Sequence, residues 1–135
     1  MSAQQQIVRG AGVLALIAVP LVVGAAAFHL KLSRSEPTAN ARLAASPTDV
    51  KLWFTQRPEL TVTSIKVKSG TGISAVERAL APLRRAAANG SPITAPLGAA
   101  LNPGHYEIVW RTMARDGHVL NGVIPFDVSG APAPR

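Results

Sequence analysis

Beyond residue 28 the chain is cut by turn residues into short β-rich runs, and that punctuation limits what it can fold into. His29 to Ser33 reads as an opening strand closed by the Ser35-Glu36-Pro37 turn. Val50 to Thr55 (VKLWFT) is a second run, ending at Arg57-Pro58. Leu60 to Lys68 (LTVTSIKVK) alternates, but its inward face switches partway along, which predicts a bulge or a strand shared between two environments. Pro92, Pro96, Gly98 and Pro103-Gly104 mark loops and a tight turn, after which His105 to Arg111 and Val119 to Val128 resume strand. Val76 to Ala88 (VERALAPLRRAAA) is the exception. Its composition favours helix and Pro82 opposes it, so an irregular connection with one helical turn is expected. Strands of this length and spacing predict an all-β fold, an antiparallel Greek-key β-sandwich of immunoglobulin-like or cupredoxin-like kind. Trp53, Phe54, Trp110 and Phe126 are expected in its core.

The first residues are of another kind. After MSAQQQIVRG, whose one charge is Arg9, Ala11 to Ala27 (AGVLALIAVPLVVGAAA) carries no charged or strongly polar side chain. A positive n-region, an apolar stretch and a run of small residues is the layout of an export signal, with Ala25 and Ala27 placed for cleavage before Phe28. The alternative is an uncleaved apolar helix anchoring the protein in a membrane, since about 18 uncharged residues approach the length needed to span one. The expected organisation is therefore residues 1–27 as signal or anchor, one domain over 28–129, and a disordered tail at 130–135. A periplasmic location follows from either reading of the leader. Cysteine is absent, which excludes disulfides and thiolate metal sites.

The formal charge of +7 reflects 14 basic against 7 acidic residues, and beyond Arg9 the basic residues are scattered from Lys31 to Arg135 with only Arg84 and Arg85 adjacent. A nucleic-acid binder interleaves a basic stripe with stacking aromatics. Here the aromatics are few and fall in expected core strands, so nucleic acid is not an expected partner. Loose attraction to an anionic lipid or envelope surface is the consequence left for the charge.

Asp116 and His118 stand two residues apart on the crossing between the last two strands, where a carboxylate and an imidazole can meet one metal ion. His29 lies just after the apolar segment and His105 follows Pro103-Gly104. Taken singly, each histidine reads equally as a solvated surface residue, and Asp116-Gly117 as a plain turn.

The mature chain resembles the CopC family of periplasmic copper-binding proteins. His29-Leu30-Lys31-Leu32 followed by Ser35-Glu36-Pro37 is similar to the family's mature N-terminus, a histidine eight residues ahead of a proline. Gly104-His105-Tyr106-Glu107-Ile108-Val109-Trp110-Arg111, then Asp116-Gly117-His118 and Asn121-Gly122, resembles its G-T-Y-x-V-x-W-R strand, D-x-H loop and following glycine. Leu52-Trp53-Phe54-Thr55 resembles the strand ending in F-S-E, while residues 69 to 100 match poorly.

The resemblance implies a β-sandwich with a Cu(II) site made by His29, often with a free α-amine, and by Asp116 and His118. Two imidazoles and a carboxylate suit the tetragonal nitrogen and oxygen preference of Cu(II). Three departures qualify this. Gln56 stands where the family has an acidic residue, leaving a weaker donor. Met113 is the one methionine after residue 28, so no thioether Cu(I) site can be built. Cleavage after Ala27 would place Phe28 first, shifting the α-amine by one residue, about 3.5 Å of reach. Arg111 is a candidate second-sphere donor to Asp116.

The expected function is periplasmic Cu(II) binding for copper homeostasis or resistance, by a monomer without enzymatic activity that holds the ion or passes it to an inner-membrane copper transporter. A degenerate relative serving as an envelope interaction module is the alternative, favoured by Gln56 and the missing methionines. A copper-dependent oxidative enzyme ranks last, since the chain is short and shows no flat aromatic surface for a polymer.

Overall fold

The computed structural model of the chain describes residues 29–70, 75–80 and 82–130. The expected signal or anchor of residues 1–27, and residues 131–135 of the expected tail, lie outside the described residues. Among the described residues no helix is long and apolar enough to cross a membrane.

The strands are β1 (Leu32–Glu36), β2 (Ala41–Leu43), β3 (Asp49–Phe54), β4 (Ser64–Ser69), β5 (Val76–Ala79), β6 (Ile93–Pro96), β7 (Gly104–Met113) and β8 (Val119–Val128). They form two sheets, one ordered β1-β3-β6 and the other β2-β8-β7-β4-β5. One pairing departs from the antiparallel expectation: β2 runs parallel to β8, with Ala41 opposite Phe126.

Alternation explains how the sheets face each other. In β7, Tyr106, Ile108, Trp110 and Thr112 are buried while their neighbours are exposed or half-exposed; in β8, Ile124, Phe126 and Val128 are buried. These meet Val50 and Leu52 of β3 and Ile93 and Ala95 of β6 in one apolar cluster. The β7–β8 pair holds unbroken register over ten positions, from Gly104 opposite Val128 to Met113 opposite Val119. It is the rigid ladder on which the Asp116–His118 crossing is mounted.

Four segments differ from expectation. The first strand begins at Leu32 and runs through Ser35 and Glu36, which pair with Leu52 and Lys51 of β3 where a turn was expected. Leu60–Val62 forms a short 3-10 turn and the strand begins only at Ser64, which accounts for the switch of inward face without a bulge. Val76–Ala79 is an edge strand on β4, and no helical turn follows it among the described residues. Glu77 pairs with Lys66 and Lys68 across that edge, so cross-strand partners override helix-favouring composition. Trp53 is not a core residue. Val50, Leu52 and Phe54 point inward from β3, leaving Trp53 on the outer face, where the Arg34 guanidinium lies 3.8 Å from its ring centroid.

Candidate metal centre

The loop between β7 and β8 is closed by its own backbone. Ala114 N–H donates to the His118 carbonyl at 2.9 Å, and Gly117 N–H to the Ala114 carbonyl at 3.0 Å. Gly117 takes a φ of +89°, a left-handed conformation that a Cβ disfavours. The turn carries Asp116 back toward His118. One carboxylate oxygen accepts the His118 backbone N–H at 3.1 Å, and the other lies 2.9 Å from His118 Nδ1. The His118 side-chain hydrogen bond, then its backbone N–H, hold the Asp116 pKa below its ordinary value of 3.8. Both side chains stand in solvent, at 60% and 80% exposure. With Nδ1 facing the carboxylate, Nε2 is the imidazole nitrogen left for a metal, oriented as in carboxylate–histidine–metal arrangements.

The opposite wall at this end is the chain entering and leaving the smaller sheet. Thr55 fastens the N-terminal segment: its Oγ1 donates to the His29 carbonyl at 2.9 Å and accepts Lys31 N–H at 2.9 Å. Thr55 N–H donates to the Lys31 carbonyl, also at 2.9 Å. Four residues on, Glu59 N–H donates to the Met113 carbonyl at 3.1 Å. Thr63 Oγ1 donates to the Glu59 carbonyl at 2.6 Å, which spends its proton and makes Thr112 the donor in the 2.6 Å contact between the two hydroxyls. This chain of bonds ties the His29 backbone and the Asp116–His118 loop to one end of the sandwich. It does not close the site. Among the described residues no three His, Asp or Glu side chains stand near enough to hold one ion.

The remaining candidates are placed as follows. Gln56 is exposed on the loop after β3 and borders a cleft there. Arg111 is exposed on β7, opposite Asn121 and Ser64, and no hydrogen bond joins it to Asp116, whose partner is His118. His105 sits at the far end of β7, with Nδ1 2.8 Å from Asp127 across the ladder.

The model of the CopC domain family matches residues 32–129, nearly all of the sandwich. This chain belongs to the CopC family. It is 29% identical over 115 residues to protein YobA of Escherichia coli K12, covering 85% of this chain and 90% of that protein. It is 28% identical over 115 residues to copper resistance protein C of Xanthomonas campestris pv. juglandis, covering 84% and 90%. The crystal structure of CopC from Methylosinus trichosporium OB3b superposes with a TM-score of 0.62 at 31% identity, covering 79% of this chain and 98% of that one. The span matched by the CopC domain includes Asp116 and His118 and begins three residues after His29.

Thr55 went unread in sequence. It closes the strand run LWFT, and its partners His29 and Lys31 are 26 and 24 residues away, so nothing local marks it as the residue that fastens the His29–Lys31 segment.

Proposed function

We propose that this CopC-family chain binds one Cu(II) ion in the periplasm, through His118, Asp116 and the N-terminal His29, and that it carries out no covalent chemistry. The Asp116–His118 pair on the β7–β8 loop carries the reading. It presents an Nε2 open to solvent and an ionised carboxylate on the Nδ1 side of the same ring, and turning of the exposed His118 side chain brings nitrogen and oxygen donors of the kind Cu(II) takes to one ion. His29 joins by movement of its exposed side chain, while Thr55 keeps its backbone at the same end of the sandwich. The protein acts as a monomer that holds copper or delivers it to an inner-membrane copper transporter. Cu(II) titration of the metal-free protein should give one equivalent bound more tightly than micromolar, lost in His118→Ala. No binding at micromolar concentration would defeat the proposal.

A second reading, a relative that has drifted from tight copper binding, draws on the separation of His29 from the Asp116–His118 pair and on neutral Gln56. Thermal denaturation separates the two, because an ion bound only by the folded state must raise the melting temperature.

A further inference from the structure

Beside Gln56 lies a cleft of about 210 Å³ that the copper reading does not use. Phe54 and Ile93 give it apolar surface, and Arg57, Arg85, Asn89 and Ser91 give it polar groups. The two arginines come from opposite walls and each reaches across. Arg57 Nη1 donates to the Ala87 carbonyl at 2.9 Å, and Arg85 Nη1 donates to the Pro58 carbonyl at 2.6 Å. These acceptors are neutral, so each satisfies one N–H and leaves the cation unmatched. No ion pair among the described residues involves either guanidinium.

Arg85 is the more exposed of the two to this imbalance. Its Nε is buried and has no acceptor. Burial first, then the charge of Arg57, pull its pKa below the ordinary arginine value, with Glu59 opposing them from a distance. A guanidinium keeps its proton regardless. The exposed Arg57 charge and the half-buried Arg85 charge therefore act on each other with no counter-charge in contact, an arrangement that an anion relieves. A purely structural clamp onto two carbonyls needs only an N–H from each wall. The planar fork of arginine is what carboxylate and phosphate oxygens pair with, two N–H groups at a time.

We propose that this cleft is a binding site for a small oxyanion, a carboxylate or phosphate group seated between Arg57 and Arg85. Asn89 and Ser91 supply further hydrogen-bonding groups, and Phe54 and Ile93 shield one side from water. The volume falls below the roughly 300 Å³ at which drug-sized pockets begin, which favours a single compact anion over a nucleotide. The site includes none of His29, Asp116 or His118, so it stands whether or not the copper proposal does.

The test is a titration of metal-free protein with inorganic phosphate and, separately, with malonate, at constant ionic strength and neutral pH, followed by backbone amide NMR. Saturable shifts confined to residues 54–58 and 85–91 are expected, and the tighter of the two anions identifies the ligand source. Arg57→Gln should weaken binding about tenfold or more, the loss of a charge-assisted contact. Asn89→Asp leaves both arginines in place and puts a carboxylate at the rim. Asn89 is exposed, so this variant should fold with a melting temperature no lower than that of the parent, and it should also lose binding as its carboxylate occupies the arginines. Non-saturating shifts spread over surface lysines, or full affinity in Asn89→Asp, would overturn the proposal.

Discussion

Gly122 lies directly beneath the indole of Trp110, its partner across the β7–β8 ladder, and a Cβ built at position 122 would fall 2.7 Å from Trp110 Cζ2 and 2.8 Å from Nε1. Both residues face the interior, and the indole in turn meets Phe54 edge-on, at 5.4 Å between centroids and 75° between planes. The missing side chain is what lets a large ring lie across the strand. Phe54 immediately precedes Thr55, so this packing also supports the clamp on His29.

Gly122→Ala should therefore destabilise the fold by about 1–3 kcal/mol, the usual cost of overpacking a filled core. The indole is 6% exposed and has little room to retreat. For a domain of about a hundred residues this corresponds to a fall in Tm of several degrees or more. Thermal denaturation checks it, and near-ultraviolet circular dichroism should report a displaced Trp110.

Thr55→Val removes a hydroxyl that bonds both the His29 carbonyl and the Lys31 N–H. A loss of about 1–2 kcal/mol is expected from these bonds. If His29 contributes to copper binding, Cu(II) affinity should fall as well, while Thr55→Ser retains both properties. Chemical denaturation and Cu(II) titration of the two variants measure the pair of effects.

Asp116→Asn keeps the shape of the loop and removes the charge facing His118 Nδ1. Cu(II) affinity should drop about 10-fold or more, since the carboxylate is lost both as a donor and as the group that orients His118. Stability of the metal-free protein should change by less than about 0.5 kcal/mol, since the side chain is exposed. The two readouts distinguish a ligand role from a folding role.

The pH dependence of copper binding follows from protonation. The depressed pKa of Asp116 means that its carboxylate persists above 3.8 and is lost only as pH falls through that lowered value. The carboxylate therefore stays available to copper at neutral pH, and affinity should be lost in acid as the donors take up protons. Cu(II) titrations from neutral to acid pH check this.

Local pattern was sufficient for the strongest element of this protein. The alternation in Tyr106 to Trp110 and Ile124 to Val128 predicts two half-buried strands, and the short polar crossing between them places Asp116 beside His118, because sheet geometry with a period of two is written residue by residue. The β-sandwich was legible for the same reason. Other features were settled by tertiary structure. Val76–Ala79 became a strand because β4 offered a free edge and lysines opposite Glu77, whatever its helix propensity. Trp53 faces outward because Val50, Leu52 and Phe54 take the inner face of β3, an alternation local to the strand; what the fold adds is Arg34 of β1 lying over its ring. The end of the sandwich where His29 is held depends on Thr55, Glu59, Thr63 and Thr112 bonding to groups far away in the chain. Such partners leave no periodic trace, since the bonds depend on how two sheets are stacked and not on the order of neighbouring residues.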